Sequence, residues 1–434
     1  MGTVTYFILL AVEAAILFWS IRSRQAYRRE RGLIRIASLI LFAVLTFAGI
    51  YKWGFQYAPL LILLVIQSAA GIVILARAKD SKYTKTGTIW RGIRNSMILF
   101  LALLPAMIFP QYEQPAPSGI YEVLTTKYTW TDTSRTDEFP DEATGRKITV
   151  EFWYPDAAMD DQSYPLVIFS HGAFGFSGSN DSTCTELASN GYVVAGIGHT
   201  HQAFFTRAVD GTVTIADADF INEASRINAV HDTGNDEAIY KITRAWMKLR
   251  TDDENFVINQ ILKLNSVSTA NQILPSIDVD QIGLMGHSLG GASSAQIGRE
   301  RRDIDAVIVL DGTMLGEEID FANGSVVLNS EPYPVPLLNI YAQDHYENAV
   351  KYDGERYNNF HAAHHAVAAF ETVFADTGHL NFTDLPLFSP ILARALGTGT
   401  VDELKCINTM NEVVLKFFDS YLKNEGTPDI QKEY

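Results

Sequence analysis

Along residues 1–110 the apolar positions gather into four long runs, roughly Val4–Trp19, Ile36–Ile50, Leu60–Leu75 and Ser96–Phe109. With flanking aromatic residues each run approaches the about 20 apolar residues that a membrane-spanning helix needs. Tyr6, Trp19, Tyr51, Trp53, Tyr57, Trp90 and Tyr112 stand at the run edges, as an interfacial belt would. Pro105 inside the fourth run is tolerated in a membrane helix. The pattern predicts a four-helix transmembrane module over residues 1–111.

A stiff, irregular linker follows over 112–119, within the stretch PQYEQPAPSG. From residue 120 to 434 the pattern is that of a globular domain. YEVLTTKYTW and KITVEFWYP alternate and predict an antiparallel strand pair. Then come short continuous apolar runs: PLVIFS, YVVAGIG, IGLMG, AVIVL and PLLNIYA. Helical stretches separate them, among them Thr183–Asn190 and Gly291–Arg301. Doubly buried strands alternating with helices imply an α/β domain with a mostly parallel sheet covered on both faces. Residues 235–265 show helical spacing through Ile239, Ile242, Trp246 and Leu249, then Val257, Ile261 and Leu264. The polar Thr251-Asp252-Asp253 between them predicts two helices with a break.

Charge separates the two parts. Residues 1–110 hold 13 Lys/Arg and 3 Asp/Glu, a net +10. The rest holds 21 basic and 47 acidic residues, a net −26. So acidic a domain is no nucleic-acid binder, since phosphate binding needs clustered Lys/Arg. It is equally unsuited to docking on an anionic lipid surface. The basic residues cluster in IRSRQAYRRERG (Arg22, Arg24, Arg28, Arg29, Arg31) and ARAKDSKYTKTGTIWRGIR (Arg77, Lys79, Lys82, Lys85, Arg91, Arg94). The positive-inside rule puts both in the cytoplasm, and four spans then leave the large domain outside. Run one is not a cleaved signal peptide, because its positive charge follows the apolar stretch. Glu13 inside run one is read as a protonated or helix-paired carboxyl rather than a functional site. Cys184 and Cys406 are either a disulfide or two buried thiols; neither has metal-ligand spacing.

The candidate chemistry lies in LMGHSLGGAS. Gly286-x-Ser288-x-Gly290 follows a predicted buried strand and precedes a predicted helix, the context a nucleophile elbow requires. Two glycines let strand and helix approach while the serine stands clear. The Leu289 N–H would face a developing oxyanion. A second donor is expected from the glycine-rich loop FSHGAFGFSGS, either Ala173 or Phe174, with His171 shaping the loop. A serine hydroxyl needs a base, and the base an orienting carboxylate. Asp311 and Asp344 both end predicted strands, and the pattern leaves them even. His345 adjoins Asp344 and is expected to point elsewhere. His361, His364 and His365 fall in HAAHHAVAAF, a strand or helix edge. His379 in the loop ADTGHLNFTD is the better placed base.

Several segments together resemble the platelet-activating factor acetylhydrolase family of serine esterases, of the plasma and intracellular type II kind. They are TDTSR…GRKITVEFWYP, FSHGAFGFSGS, ELASNGYVVAGIGHTHQ, DENFVINQILKLN, IDVDQIGLMGHSLGGAS, IDAVIVLDGTM and GHLNFTDLPLFSP. The resemblance implies an α/β-hydrolase fold over most of 120–425. It implies Ser288 as nucleophile, Asp311 as acid, His379 as base, and Ala173 and Leu289 as oxyanion donors. Thr313 replaces a frequent aromatic, and Leu289 a common Phe, which alters the acyl pocket. The four-span N-terminus lies outside the resemblance. The expectation is therefore a serine carboxylesterase of small-molecule or lipid esters with short or oxidised acyl groups. It needs no metal or cofactor, has no nucleic-acid partner, and is anchored in the cell membrane with its catalytic domain on the extracytoplasmic side. Transfer to an alcohol acceptor, a broader polyester or carboxylesterase activity, and a non-catalytic receptor are the alternatives.

Overall fold

The computed structural model describes residues 1–77, 83–136, 138–156, 163–231, 236–266 and 273–434. The chain divides into two compact units, Met1–Glu113 with Leu387–Ala393, and Gln114–Pro386 with Arg394–Tyr434.

The first unit contains four long helices, Gly2–Ser23, Arg28–Phe47, Ala58–Arg77 and Lys85–Ile108. Among the described residues only three helical stretches are long and apolar enough to cross a membrane: Gly2–Ser23, Phe55–Arg77 and Lys85–Ile108. This corrects the expectation of four spans. Helix Arg28–Phe47 opens RRERGLIR, with five charged side chains in eight residues, which leaves the 12 residues Ile36–Phe47 as its apolar part. At 1.5 Å per residue that is about 18 Å, well short of a hydrocarbon core of about 30 Å. Lys79 and Lys82 of the second basic segment lie outside the described residues. Glu13 accepts a hydrogen bond from Asn95 Nδ2 at 3.4 Å, so it is paired between helices.

In the second unit the strands are β1 (Val123–Asp132), β2 (Arg146–Pro155), β3 (Tyr164–Ser170), β4 (Val193–Gly198), β5 (Phe205–Arg207) and β6 (Val213–Ile215). They continue as β7 (Ile277–His287), β8 (Ala306–Leu310), β9 (Glu318–Ala322), β10 (Ser325–Leu328), β11 (Leu337–Ala342) and β12 (Ala369–Phe374). Eight form one sheet in the order β1-β2-β4-β3-β7-β8-β11-β12, while β5/β6 and β9/β10 are small separate hairpins. β1, β2 and β4 pair antiparallel, and every pair from β4-β3 to β11-β12 is parallel.

The continuous apolar runs are doubly buried, as their lack of alternation required. In β3, Leu166 and Ile168 face a core that includes Val257, Ile258 and Ile261 of helix Asp236–Asn265 and Ala295 and Ile297 of helix Leu289–Glu300. Their neighbours Val167 and Phe169 face a second core with Leu187 of helix Asp181–Ser189 and Met410, Val414, Phe417 and Phe418 of helix Glu403–Leu422.

Helix Asp236–Asn265 is unbroken, which corrects the expectation of two helices. Thr251-Asp252-Asp253 contains no glycine or proline. Thr251 Oγ1 donates back to Met247 O at 3.0 Å, and Asp252 pairs with Lys248 one turn earlier. Asp253 points inward, where Arg146 and Arg135 reach it at 2.6 and 2.7 Å. A polar triplet that reads as a solvated break is a buried ionic anchor. Cys184 and Cys406 are both free and buried, which settles the pairing question in favour of thiols.

Phe418 is fully buried, and a Cβ on Gly283 of β7 would lie 2.6 Å from its ring. Phe418→Ala is expected to destabilise the second unit by about 3–5 kcal/mol. Thermal unfolding of the full chain in detergent measures this as a lowered Tm.

Candidate active site

The sheet delivers the site residues at the C-terminal ends of its parallel strands, where open α/β sheets place ligands. β7 ends at His287, and Ser288 N donates to Leu310 O of β8 at 2.9 Å. Asp311 follows β8, and its N–H donates to Ile340 O of β11 at 2.7 Å. His379 begins a short turn, His379–Phe382, five residues after β12. Gly378 N and Gly399 N fix that turn by donating to Asn381 Oδ1 at 2.9 and 2.8 Å.

Ser288 sits at φ 55°, ψ −123°, between β7 and helix Leu289–Glu300. A serine at positive φ is strained, by roughly 1–3 kcal/mol. Close packing enforces it. A Cβ on Gly286 would lie 2.2 Å from the Gly290 carbonyl carbon, and one on Gly290 would lie 2.1 Å from Ser170 O. Asp311 (φ 49°) and Phe174 (φ 59°) are also left-handed.

Three side chains form one hydrogen-bonded line. His379 Nε2 lies 2.9 Å from Ser288 Oγ, and His379 Nδ1 lies 2.6 Å from Asp311 Oδ2. Burial alone would raise the Asp311 carboxyl, but the hydrogen bonds from His345 and His379 outweigh it and hold Asp311 well below the usual carboxylate range. Asp344 is not part of this line: it is exposed, in the first turn of helix Gln343–Tyr352, and bonds its neighbour's amide, His345 N, at 2.8 Å. β11 stops at Ala342, two residues before it. His361 and His365 bond carbonyls of Asn329 and His361, and His364 is exposed.

The oxyanion candidates separate as clearly. Phe174 N is already donated to Gln202 O at 3.1 Å. The amides of Ala173 and Leu289 have no protein acceptor among the described residues. The loop lies against Ser288, since a Cβ on Gly172 would stand 3.2 Å from Ser288 Cβ. Arg250, fully buried, clamps the loop from below: its guanidinium donates to His171 O, to Gly172 O at 3.3 Å and to Gln202 Oε1 at 2.7 Å. Burial pushes Arg250 down to about 9, so it remains charged at neutral pH. His171 is fully buried with Nδ1 2.7 Å from Gly172 O, in keeping with a loop-shaping role.

Two residues escaped sequence reasoning. His287, just before the serine, places Nε2 3.0 Å from His379 O and so holds that residue in place. Burial and the neighbouring His379 push His287 down to about 3, which keeps it neutral. His345, expected to point elsewhere, puts Nδ1 3.0 Å from Asp311 Oδ1. Its adjacency to a strand end was the only signal in the sequence. Asp311, His345 and His379 bring three metal-capable donors within 4.8 Å of one another. Each imidazole Nδ1 already faces an Asp311 oxygen, so hydrogen bonding accounts for the cluster.

Beneath the elbow a second Ser-His-Asp line is fully buried: Ser170 Oγ to His199 Nε2 at 2.8 Å, and His199 Nδ1 to Asp253 Oδ2 at 3.0 Å. It cannot meet a substrate and serves as scaffold. Burial and the Arg250 charge push His199 down to about 3.

An eight-stranded, mostly parallel sheet with a serine at a strained strand-to-helix turn, and an aspartate and a histidine in the connections after later strands, defines the α/β-hydrolase class. The chain belongs to the platelet-activating factor acetylhydrolase, isoform II, family, whose model matches residues 143–431. Platelet-activating factor acetylhydrolase of Cavia porcellus is 26% identical over 275 residues, covering 60% of this chain and 58% of the relative. The Bos taurus protein of that name is 23% identical over 282 residues, with 60% and 58% covered. The matched part thus spans less than two thirds of these relatives. A solved ferulic acid esterase from Streptomyces cinnamoneus has the same fold, with TM-score 0.57 and 22% identity, covering 74% of this chain and 96% of that one.

Glu254 is a fully buried carboxyl that hydrogen-bonds Ser293 in the elbow helix, and burial pushes it up to about 7. Unfolded, it would titrate near the ordinary 4.3. The folded state therefore binds the extra proton, and its contribution to stability is lost as pH rises through about 7. Asp384, also pushed up to about 7 by burial, acts in the same direction. Thermal unfolding at pH 6 and pH 8.5 should show a Tm drop that is smaller in Glu254→Gln than in the wild type.

Proposed function

We propose that the second unit is a serine carboxylic ester hydrolase working through an acyl-enzyme. The hydrogen-bonded line from Ser288 through His379 to Asp311, beside two unclaimed amides, carries this reading. Ser288 Oγ attacks the ester carbonyl while His379 Nε2 takes its proton. Asp311 fixes the His379 tautomer and stabilises the imidazolium. The N–H groups of Ala173 and Leu289 receive the oxyanion. His379 then returns the proton to the leaving alkoxide, and a water activated by the same nitrogen hydrolyses the acyl-enzyme. No step calls on a metal or cofactor.

Esters with short or oxidised acyl groups, including phospholipid esters, are the substrates proposed. The names of the relatives support this, as does a chain that carries three helices able to cross a membrane. Leu289 packs with Phe220, Trp246 and Met247, an apolar cluster next to the nucleophile that suits an acyl group better than a charged one. Ser288→Ala is expected to lower p-nitrophenyl acetate turnover by the full chain at least about 10³-fold. Asp311→Asn should cost about 10⁴-fold in kcat through the wrong tautomer, and Asp344→Asn less than about 3-fold. Full activity in Ser288→Ala rejects the reading, and the reverse order of the two aspartates moves the acid to Asp344.

The catalytic unit is proposed to face the extracytoplasmic side. Helix Lys85–Ile108 carries Lys85, Arg91 and Arg94 toward its N-terminal end, and no basic residue follows until Lys127. Taken on the flanks of this helix alone, the positive-inside rule places its start in the cytoplasm and its exit outside, although three crossings, unlike four, set the Arg22–Arg31 segment on the opposite side from Lys85. Protease added to intact cells should remove the second unit, and full protection would reverse the orientation.

A further inference from the structure

The two oxygens of the Asp311 carboxylate are engaged differently. Among the described residues Oδ2 meets only His379 Nδ1, at 2.6 Å. Oδ1 accepts from Ala342 N at 2.7 Å and also faces His345 Nδ1 at 3.0 Å. The line continues outward: His345 Nε2 lies 3.1 Å from the buried Tyr357 hydroxyl, which lies 3.3 Å from Thr313 Oγ1. One carboxylate thus bridges two imidazoles, and only one of them reaches the serine. His345 comes from the first turn of helix Gln343–Tyr352, directly after β11, so the sheet itself sets its place.

We propose that His345 is a positioning residue that shares the Asp311 carboxylate with His379 and thereby lowers the basicity of the catalytic imidazole. The proposal rests on the reading of Ser288, His379 and Asp311 as an acyl-transfer line.

A carboxylate raises the basicity of an imidazole by stabilising its cation. A second cation on the other oxygen draws on the same negative charge, so the two imidazoles compete. The amide of Ala342 already satisfies Oδ1, so a structural role needed no titratable group there. The charged and titratable groups facing His345 are Asp311 across the hydrogen bond, His379 beyond it, Asp344 and Asp353 at the ends of its own helix, and the Tyr357 hydroxyl. Burial alone would lower His345, but the hydrogen bond and charge of Asp311 outweigh it, so the ring is cationic over a wider pH range than a free histidine. Deprotonation of His345 hands the full carboxylate charge to His379. The base thus strengthens as pH rises through the range where it must be neutral to work, which broadens the acid limb of the rate profile.

The test compares kcat/KM against pH for the full chain in detergent with p-nitrophenyl acetate, with EDTA throughout, in wild type, His345→Gln and Tyr357→Phe. Glutamine keeps a donor to Asp311 and removes the charge. The acid limb of His345→Gln is expected to move to higher pH by about 0.5–1 unit, and to sharpen. Tyr357→Phe keeps the charge and should shift the limb by less than about half as much. A limb in His345→Gln that coincides with wild type, or moves to lower pH, overturns the proposal whatever happens to the plateau or the Tm. A merely structural role would lower the plateau and leave the limb in place. Nitrogen-15 histidine NMR titration of the same two proteins reads the His379 pKa without turnover. If the wild type proves inactive, an upward shift of His379 in His345→Gln still supports the coupling and an unchanged value still refutes it.

Discussion

The contact between Gly286 and Gly290 governs the site. Only two residues without Cβ can bring the end of β7 so close to the helix that follows, with the Gly290 backbone lying against Ser170 O. That approach forces Ser288 into a left-handed conformation and lifts its hydroxyl out of the turn toward His379. It also leaves the Leu289 amide at the start of a helix, unclaimed and at the positive end of the helix dipole. The proposed nucleophile and one proposed oxyanion donor are thus two results of the same packing constraint.

The second proposed donor depends on a different physical device. The loop carrying Ala173 would be free to move on packing grounds alone, being rich in glycine. A buried guanidinium fixes it by donating to both carbonyls that precede Ala173 and, through Gln202, bracing the turn after β4 that accepts from Phe174. Arg250 shares a helix with Asp253 and Glu254, so one helix supplies the clamp, the counter-ion of Arg146 and the carboxyl under the elbow. Burying these charges costs desolvation energy, and such networks contribute geometry more than net stability. The need for fixed loops in catalysis gives a reason for the cost.

The helical unit follows a separate logic. In this unit small residues permit close backbone approach between helices, as they do in membrane-helix packing. Gly32 and Gly71 do this between the second and third helices, where a Cβ on Gly71 would lie 2.8 Å from Gly32 O. Gly2 meets Ala106 in the same way between the first and fourth. The second helix joins this packing although its charged first turns keep it from matching the apolar length of its neighbours.

Much of this could be read along the chain. Doubly buried strands have continuous apolar runs, so β3, β4, β7, β8 and β11 announced themselves, and the antiparallel β1/β2 pair showed its alternation. The elbow was legible because its glycines and serine are local in sequence. The failures came where polarity misled. Thr251-Asp252-Asp253 looked like a break because a sequence carries no sign that Asp253 has Arg146 as a partner 107 residues away. His345 looked misdirected because its orientation depends on how helix Gln343–Tyr352 leaves β11. Asp311 and Asp344 were equivalent as strand ends. Only the sheet, by stopping β11 at Ala342 and setting β8 beside β7, put one of them on His379 and the other in solvent. Local steric rules determined the elements and the serine. Contacts between residues far apart in the chain brought Asp311 to His379, left the Ala173 and Leu289 amides unclaimed and turned His345 inward, because those depend on distances that strand order and register alone create.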